Sequence, residues 1–136
     1  MAEGKTFQLA VVTPEAAVLD IEASFVALPA HDGEIGVLRN RAPLLIKLDV
    51  GLLRAETADG TQRLYVDGGF AEMIDNRLTV LTEDARDPGE LDRGAAEQGL
   101  VAAQAMTAED AVALAAREKA LRRARVQLQL TANQAS

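Results

Sequence analysis

The sequence predicts a β-sandwich or barrel of short strands over residues 1–87, followed by a helical segment over residues 88–136. Two observations lead there. Short apolar runs, punctuated by Gly, Pro and Asp, fill residues 6–82, and many short strands at such spacing mark a sandwich or barrel. At Asp87-Pro88 the pattern changes to Ala-rich sequence with capping signals. A length of 136 residues suits one domain, or one compact domain with an appendage.

The strands can be taken in order. Phe7, Leu9 and Val11 alternate with more polar neighbours, and Thr13-Pro14-Glu15 ends that run, since proline has no N–H to give to a ladder. Val18-Leu19 and Phe25-Val26-Ala27-Leu28 are the next candidates, the latter stopped by Pro29. Residues 34–38, 44–48 and 50–56 follow. Asp59-Gly60 marks a hairpin, because glycine takes positive φ at little cost. Leu64 and Val66 alternate with Arg63, Tyr65 and Asp67. Gly68-Gly69 breaks that run before Phe70–Ile74, and Asp75-Asn76-Arg77 turns tightly into Leu78, Val80 and Leu81.

The helical part opens on Asp87, a capping residue, with Pro88 at the first position and Glu90 placed to close a capping box. The first helix is expected over 88 to about 105. Gly94 and Gly99 each cost about 1 kcal/mol relative to Ala, so it needs support from packing. Thr107-Ala108-Glu109-Asp110 is a second capping signal, for a helix running to about Thr131. Leu114, Leu121 and Leu128 recur every seventh residue with Ala111 and Ala124 beside them, while Glu118 and Arg125 interrupt. The apolar stripe is narrow, which suits docking more than a permanent core.

Charge is segregated. The net charge is −7, and all of it falls in residues 1–87, which carry 15 acidic and 8 basic side chains; residues 88–136 carry 6 of each. An acidic chain with 3% aromatics and no Trp lacks both the field and the stacking surfaces that nucleic acid requires. Arg117, Lys119, Arg122, Arg123 and Arg125 form a basic band on the second helix. It reads either as a solvated face or as a surface for an acidic partner. There is no Cys, hence no disulfide, thiolate metal site or cysteine nucleophile. Met1-Ala2-Glu3-Gly4-Lys5 lacks the pattern of a signal peptide, and no run reaches the roughly 18 apolar residues of a span, so direct membrane insertion is not expected.

No active site emerges from the residues. His31 is the sole histidine; with Asp32 and Glu34 it offers too few converging ligands for a metal and lacks calcium-loop spacing. Ser24 sits in a strand pattern, not a nucleophile elbow. Gly68-Gly69 has no nearby Lys-Ser/Thr and is no phosphate loop. No metal or cofactor is called for. Two alternatives stay open from the residues: a free-standing adaptor with a helical tail, and a small hydrolase dependent on His31.

An ordered set of segments carries a resemblance. They are Val12-Thr13-Pro14-Glu15; Leu28-Pro29-Ala30-His31-Asp32-Gly33-Glu34-Ile35-Gly36-Val37-Leu38; Asn40-Arg41-Ala42-Pro43-Leu44-Leu45; Leu48-Asp49-Val50-Gly51-Leu52-Leu53; Val66-Asp67-Gly68-Gly69-Phe70-Ala71-Glu72; and Leu78-Thr79-Val80-Leu81-Thr82. In this order and spacing, with the switch at Asp87-Pro88, the chain resembles the epsilon subunits of F-type ATP synthases over essentially its whole length.

The resemblance implies an antiparallel sandwich of about ten strands and an antiparallel two-helix hairpin. It implies a non-catalytic subunit of the rotor, coupling ion-driven rotation to ATP synthesis. The sandwich would bind the gamma subunit and the ring of c subunits. The helices would fold on the sandwich or extend along gamma toward the alpha and beta subunits and restrain hydrolysis. The expected location is the cytoplasmic face of a bacterial plasma membrane, as a peripheral part of the complex; a processed organelle protein would look the same.

Carried over residue by residue, His31, Glu34 and Arg41 are the c-ring contacts, with Arg41 where the family usually has His. The basic band would meet the catalytic head. Some bacterial members bind ATP through Leu/Ile-Asp-x-x-Arg-Ala at the start of the first helix. Here Leu91 and Asp92 are present but Ala95 replaces the Arg, so ATP binding is expected to be weak or lost.

Overall fold

A computed structural model describes residues 5–134, which fall into two compact units divided between Arg86 and Asp87. Met1–Gly4, on which the reading of the N-terminal segment rests, lie outside the described residues.

The described residues of the first unit form eight strands: β1 Phe7–Val12, β2 Ala17–Ala23, β3 Phe25–Ala30, β4 Gly33–Val37, β5 Leu44–Thr57, β6 Gly60–Ile74, β7 Arg77–Leu81 and β8 Ala85–Arg86. Their order is β2-β1-β7-β6-β5-β3-β4, with β8 on β6. All pairs are antiparallel except β1 with β7.

β5 and β6 explain how the sandwich closes. They keep one register from Leu44↔Met73 to Thr57↔Gly60, interrupted only at Asp49 and Gly68. Gly68 and Gly69 sit at φ +70° and +107°, and the Asp49 carboxylate accepts from the Val50 N–H at 2.8 Å. The long hairpin therefore bends there without breaking. On β6, β8 pairs at Tyr65 and Val66 and β7 at Phe70–Ile74, on either side of Gly68-Gly69; β3 pairs with β5 at 54–56 and, after a register shift, at Leu48. The expected count of about ten is corrected to eight for this reason. Residues 44–48 and 50–56, and 64–67 and 70–74, are halves of single strands that serve both layers.

Side chains on alternating positions of both layers fill one core. Leu9, Val11, Val26, Leu28, Val37, Leu53, Val66, Met73, Leu78 and Val80 are fully buried in it. The small aromatic content is thus enough, because β-branched and leucine side chains pack well between pleated faces. The tight turn at Asp75-Asn76 has both residues at positive φ, 50° and 60°, and closes on Ile74↔Arg77. That is the primed hairpin turn which Asp and Asn tolerate and which matches strand twist.

The second unit holds a single 3-10 turn, Pro88–Glu90, then α1 Arg93–Ala105 and α2 Ala111–Gln134. The capping box forms as the sequence suggests. Gly89 N–H donates to Asp87 Oδ1 at 2.7 Å, and Asp87 N–H donates to Glu90 Oε1 at 3.2 Å. It caps the short turn, however, and not a helix running from 88. Leu91 is extended at ψ 136°, and a second cap follows, Asp92, whose Oδ1 accepts from Gly94 N–H at 3.2 Å. Likewise α2 is capped by Asp110, whose carboxylate accepts from Ala113 N–H at 2.8 Å, and not by Thr107. A carboxylate at the N-terminus also complements the helix dipole.

α1 and α2 pack on each other. Ala96 and Ala103, seven residues apart, are buried on α1, and Leu121 and Ala124 on α2. Leu114 stays 42% exposed, so the leucine stripe is only partly used. Asp110→Ala is expected to cost the α2 N-terminus about 1 kcal/mol. Faster amide exchange confined to the first turn of α2 would show it; unchanged exchange would assign the cap elsewhere.

Candidate docking surfaces

The sandwich offers an apolar face. On the outer side of β6 and β7, Phe70 stands directly opposite Leu81, and they are 52% and 53% exposed. With Val12, Thr13, Pro14, Gly69, Thr82 and Glu83 they line a shallow hollow. The sequence reading placed Phe70 and Leu81 in strands but did not separate inward from outward residues beside Gly68-Gly69. Tyr65, Val66 and Asp67 are consecutively buried there, so alternation fails as a guide. The backbone around Asp67 is tied down: its N–H donates to Asp84 O at 3.0 Å and to Thr82 Oγ1 at 3.2 Å.

The residues expected to meet the c-ring divide between two loops. His31 lies in the β3–β4 turn and Glu34 on β4; together with Ile35, Ile46 and Lys47 they line one open hollow. Glu34 is paired with Arg54 on β5 at 3.7 Å, a contact not foreseen from the sequence. Both partners are well exposed, so the pair adds little stability and leaves the carboxylate accessible. Arg41 lies in the β4–β5 connection, which leaves from the opposite end of β4, and does not line that hollow. Its backbone N–H donates to Leu38 O at 3.3 Å. Leu38 and Leu45 on either side are 58% and 70% exposed. Among the described residues, no group of three or more His, Cys, Asp or Glu is placed to hold a metal ion.

The basic band is not one face. At about 100° per residue, Arg122 and Arg125 share a side of α2, where with Glu118, Leu121, Val126 and Gln129 they line a groove. Lys119 and Arg123 fall on another side, and Arg117 on the line of Leu121 and Ala124. In the stretch compared with the ATP motif, Leu91 is buried, Asp92 is the α1 cap and Ala95 is exposed on the first turn. Arg93 pairs with Glu97 at 3.9 Å along the helix.

Comparison with known proteins bears on these surfaces. Residues 6–88 match the family model of the ATP synthase delta/epsilon chain β-sandwich domain. The ATP synthase epsilon chain of Rhodopirellula baltica is 46% identical over 118 residues, covering 87% of this chain and 92% of the relative. A chloroplastic epsilon chain from Cyanidioschyzon merolae is 41% identical over 91 residues, 67% of this chain and 70% of the relative. The fold matches a chain in the cryo-EM structure of the Euglena gracilis mitochondrial ATP synthase at TM-score 0.76 and 22% identity, over 92% of this chain and 82% of that one. An alignment of 118 residues cannot fit within the 86 of the sandwich unit, so the likeness runs into the helices. The chain belongs to the family of ATP synthase epsilon chains.

Proposed function

We propose that this chain is a non-catalytic rotor subunit of the central stalk, which couples ion-driven rotation to ATP synthesis and restrains ATP hydrolysis through its helices. The observation that carries the proposal is the likeness to an ATP synthase epsilon chain, which spans both units and leaves neither without a counterpart. The apolar hollow around Phe70 and Leu81 is the surface for gamma, since a paired, half-exposed Phe and Leu on a rigid sheet is the kind of patch that marks a protein interface. His31, Glu34 and Arg41 are the polar contacts to the c-ring, through two loops. Arg122 and Arg125 lead the contacts to the alpha and beta subunits. Among the described residues no helix is long and apolar enough to cross a membrane, so the chain reaches the cytoplasmic face of the bacterial plasma membrane through its partners.

The test is ATP hydrolysis by a gamma-containing catalytic head stripped of its own epsilon, with the full chain or residues 1–87 added. Binding by both, with the rate lowered only by the full chain, is the expected result. Binding by both with no change in rate would remove the brake from the account, and binding by neither would remove the rotor role.

ATP binding by the isolated chain is expected to be absent at micromolar concentration. Ala95 supplies no guanidinium for a phosphate, Asp92 is engaged as the α1 cap, and Arg93 is turned to Glu97. Calorimetry of the full chain with ATP decides it, and a micromolar dissociation constant would contradict it.

A further inference from the structure

The connection 38–43 carries Arg41, and three contacts fix its shape. Asn40 sits at φ +64°. Its backbone N–H donates to Asn76 Oδ1 at 2.6 Å, and Asn76 Nδ2 donates back to Asn40 Oδ1 at 3.0 Å. The backbone donor requires the oxygen of Asn76 to face it, so the amide orientation follows from the bonding. Arg39 Nη1 donates to Thr6 O at 2.8 Å. Asn76 is itself anchored, because its carbonyl accepts from Gln8 N–H at 3.0 Å and its turn is closed by Ile74↔Arg77. A loop next to exposed Leu38 and Leu45 is thus tied to the β6–β7 turn and to the start of β1 by side chains that the core does not need.

We infer that the reciprocal Asn40–Asn76 pair is a latch that presets the 38–43 loop for docking, making Asn40 and Asn76 positioning residues for Arg41. The inference rests on the reading that Arg41 meets the c-ring. A guanidinium recognises an acceptor by direction as well as charge, and a loop ordered in advance does not lose that freedom on binding. Without the latch, the Arg39 contact to Thr6 O is left as the loop's side-chain tie to the sheet, more of the ordering of residues 40–41 falls to the complex, and affinity falls.

The test uses the full chain. Gly suits the positive φ of position 76, and Asp-Gly is a preferred pair for this turn, so N76G removes the latch and keeps the hairpin. N76D retains the acceptor, and Asn40 can rotate its amide to donate. Two readouts are taken: exchange of the Asn40 amide in the free chain, and affinity for a detergent-solubilised c-ring carrying gamma. The expected result for N76G is Asn40 exchange about tenfold faster and affinity about tenfold weaker, with thermal stability little changed. N76D restores both, the N40G/N76G double variant binds no more weakly than N76G, and R41A also weakens binding. If N76G binds as tightly as the parent while R41A binds weakly, the latch is overturned and the docking reading stands. If R41A leaves binding unchanged, the docking reading falls and the positioning role with it, whatever the exchange shows.

Discussion

Gly69→Ala is expected to destabilise the sandwich by at least about 3 kcal/mol. A Cβ built at this residue lies 1.9 Å from Leu81 O, 2.9 Å from Leu81 C and 2.9 Å from Thr82 Cα, all backbone atoms at the end of the neighbouring strand β7. Its φ of +107° adds strain for any L side chain. Backbone cannot step aside as a flexible side chain would, so the Phe70↔Leu81 pairing must open. Gly60→Ala is the internal control. Gly60 has a similar φ of +115° but nothing within 4 Å of the added carbon, so only the conformational cost of about 1–2 kcal/mol applies. Urea denaturation of both variants reads the difference. Equal losses would mean that β6 and β7 do not approach as closely as the structure has them.

Replacing Arg117, Lys119, Arg122, Arg123 and Arg125 together by Ala is expected to raise ATP hydrolysis by the assembled enzyme about tenfold. Exposed ion pairs contribute roughly 0.2–1 kcal/mol each, and five at about 0.3 kcal/mol, still near the low end, shift the balance between two helix states by about a factor of ten. Ala, Arg and Lys have similar helix propensity, so α2 should persist. The groove geometry refines the expectation: the Arg122/Arg125 pair should account for more of the effect than Lys119/Arg123. Raising ionic strength should mimic the substitution, since exposed pairs are screened. Hydrolysis that stays at the parent rate in all these variants would assign the brake to other residues.

Much of the fold was legible in the sequence, and where it was not, particular residues show why. Asp59-Gly60 and Asp75-Asn76 announce their turns because only a few residue types accept positive φ, and both turns form. Gly68-Gly69 announces a special backbone equally well, but the same signal fits a strand end and a bend within a strand. The pairing partner decides, and β5 continues across it. The capping residues Asp87, Asp92 and Asp110 lie close together with other candidates, so helix starts shift by several residues when a local carboxylate wins. The surfaces were less legible. Glu34 and Arg41 are seven residues apart in sequence, yet Glu34 sits at the start of β4 and Arg41 in the connection beyond its far end. Arg54 and Asn76 become neighbours of Glu34 and Asn40 only through tertiary pairing. The basic band looks continuous as a string but wraps around a helix.

The rotor role is tested most directly by watching the chain turn. It contains no cysteine, so Ala58→Cys, in the exposed β5–β6 turn, gives a single attachment point for a bead or gold particle. The labelled chain is bound to an immobilised, gamma-containing catalytic head lacking its own epsilon, and ATP is added. Sustained rotation in one direction, stopping when ATP is withdrawn, is the expected result. A particle that remains bound and stationary while the same molecules hydrolyse ATP would contradict the account.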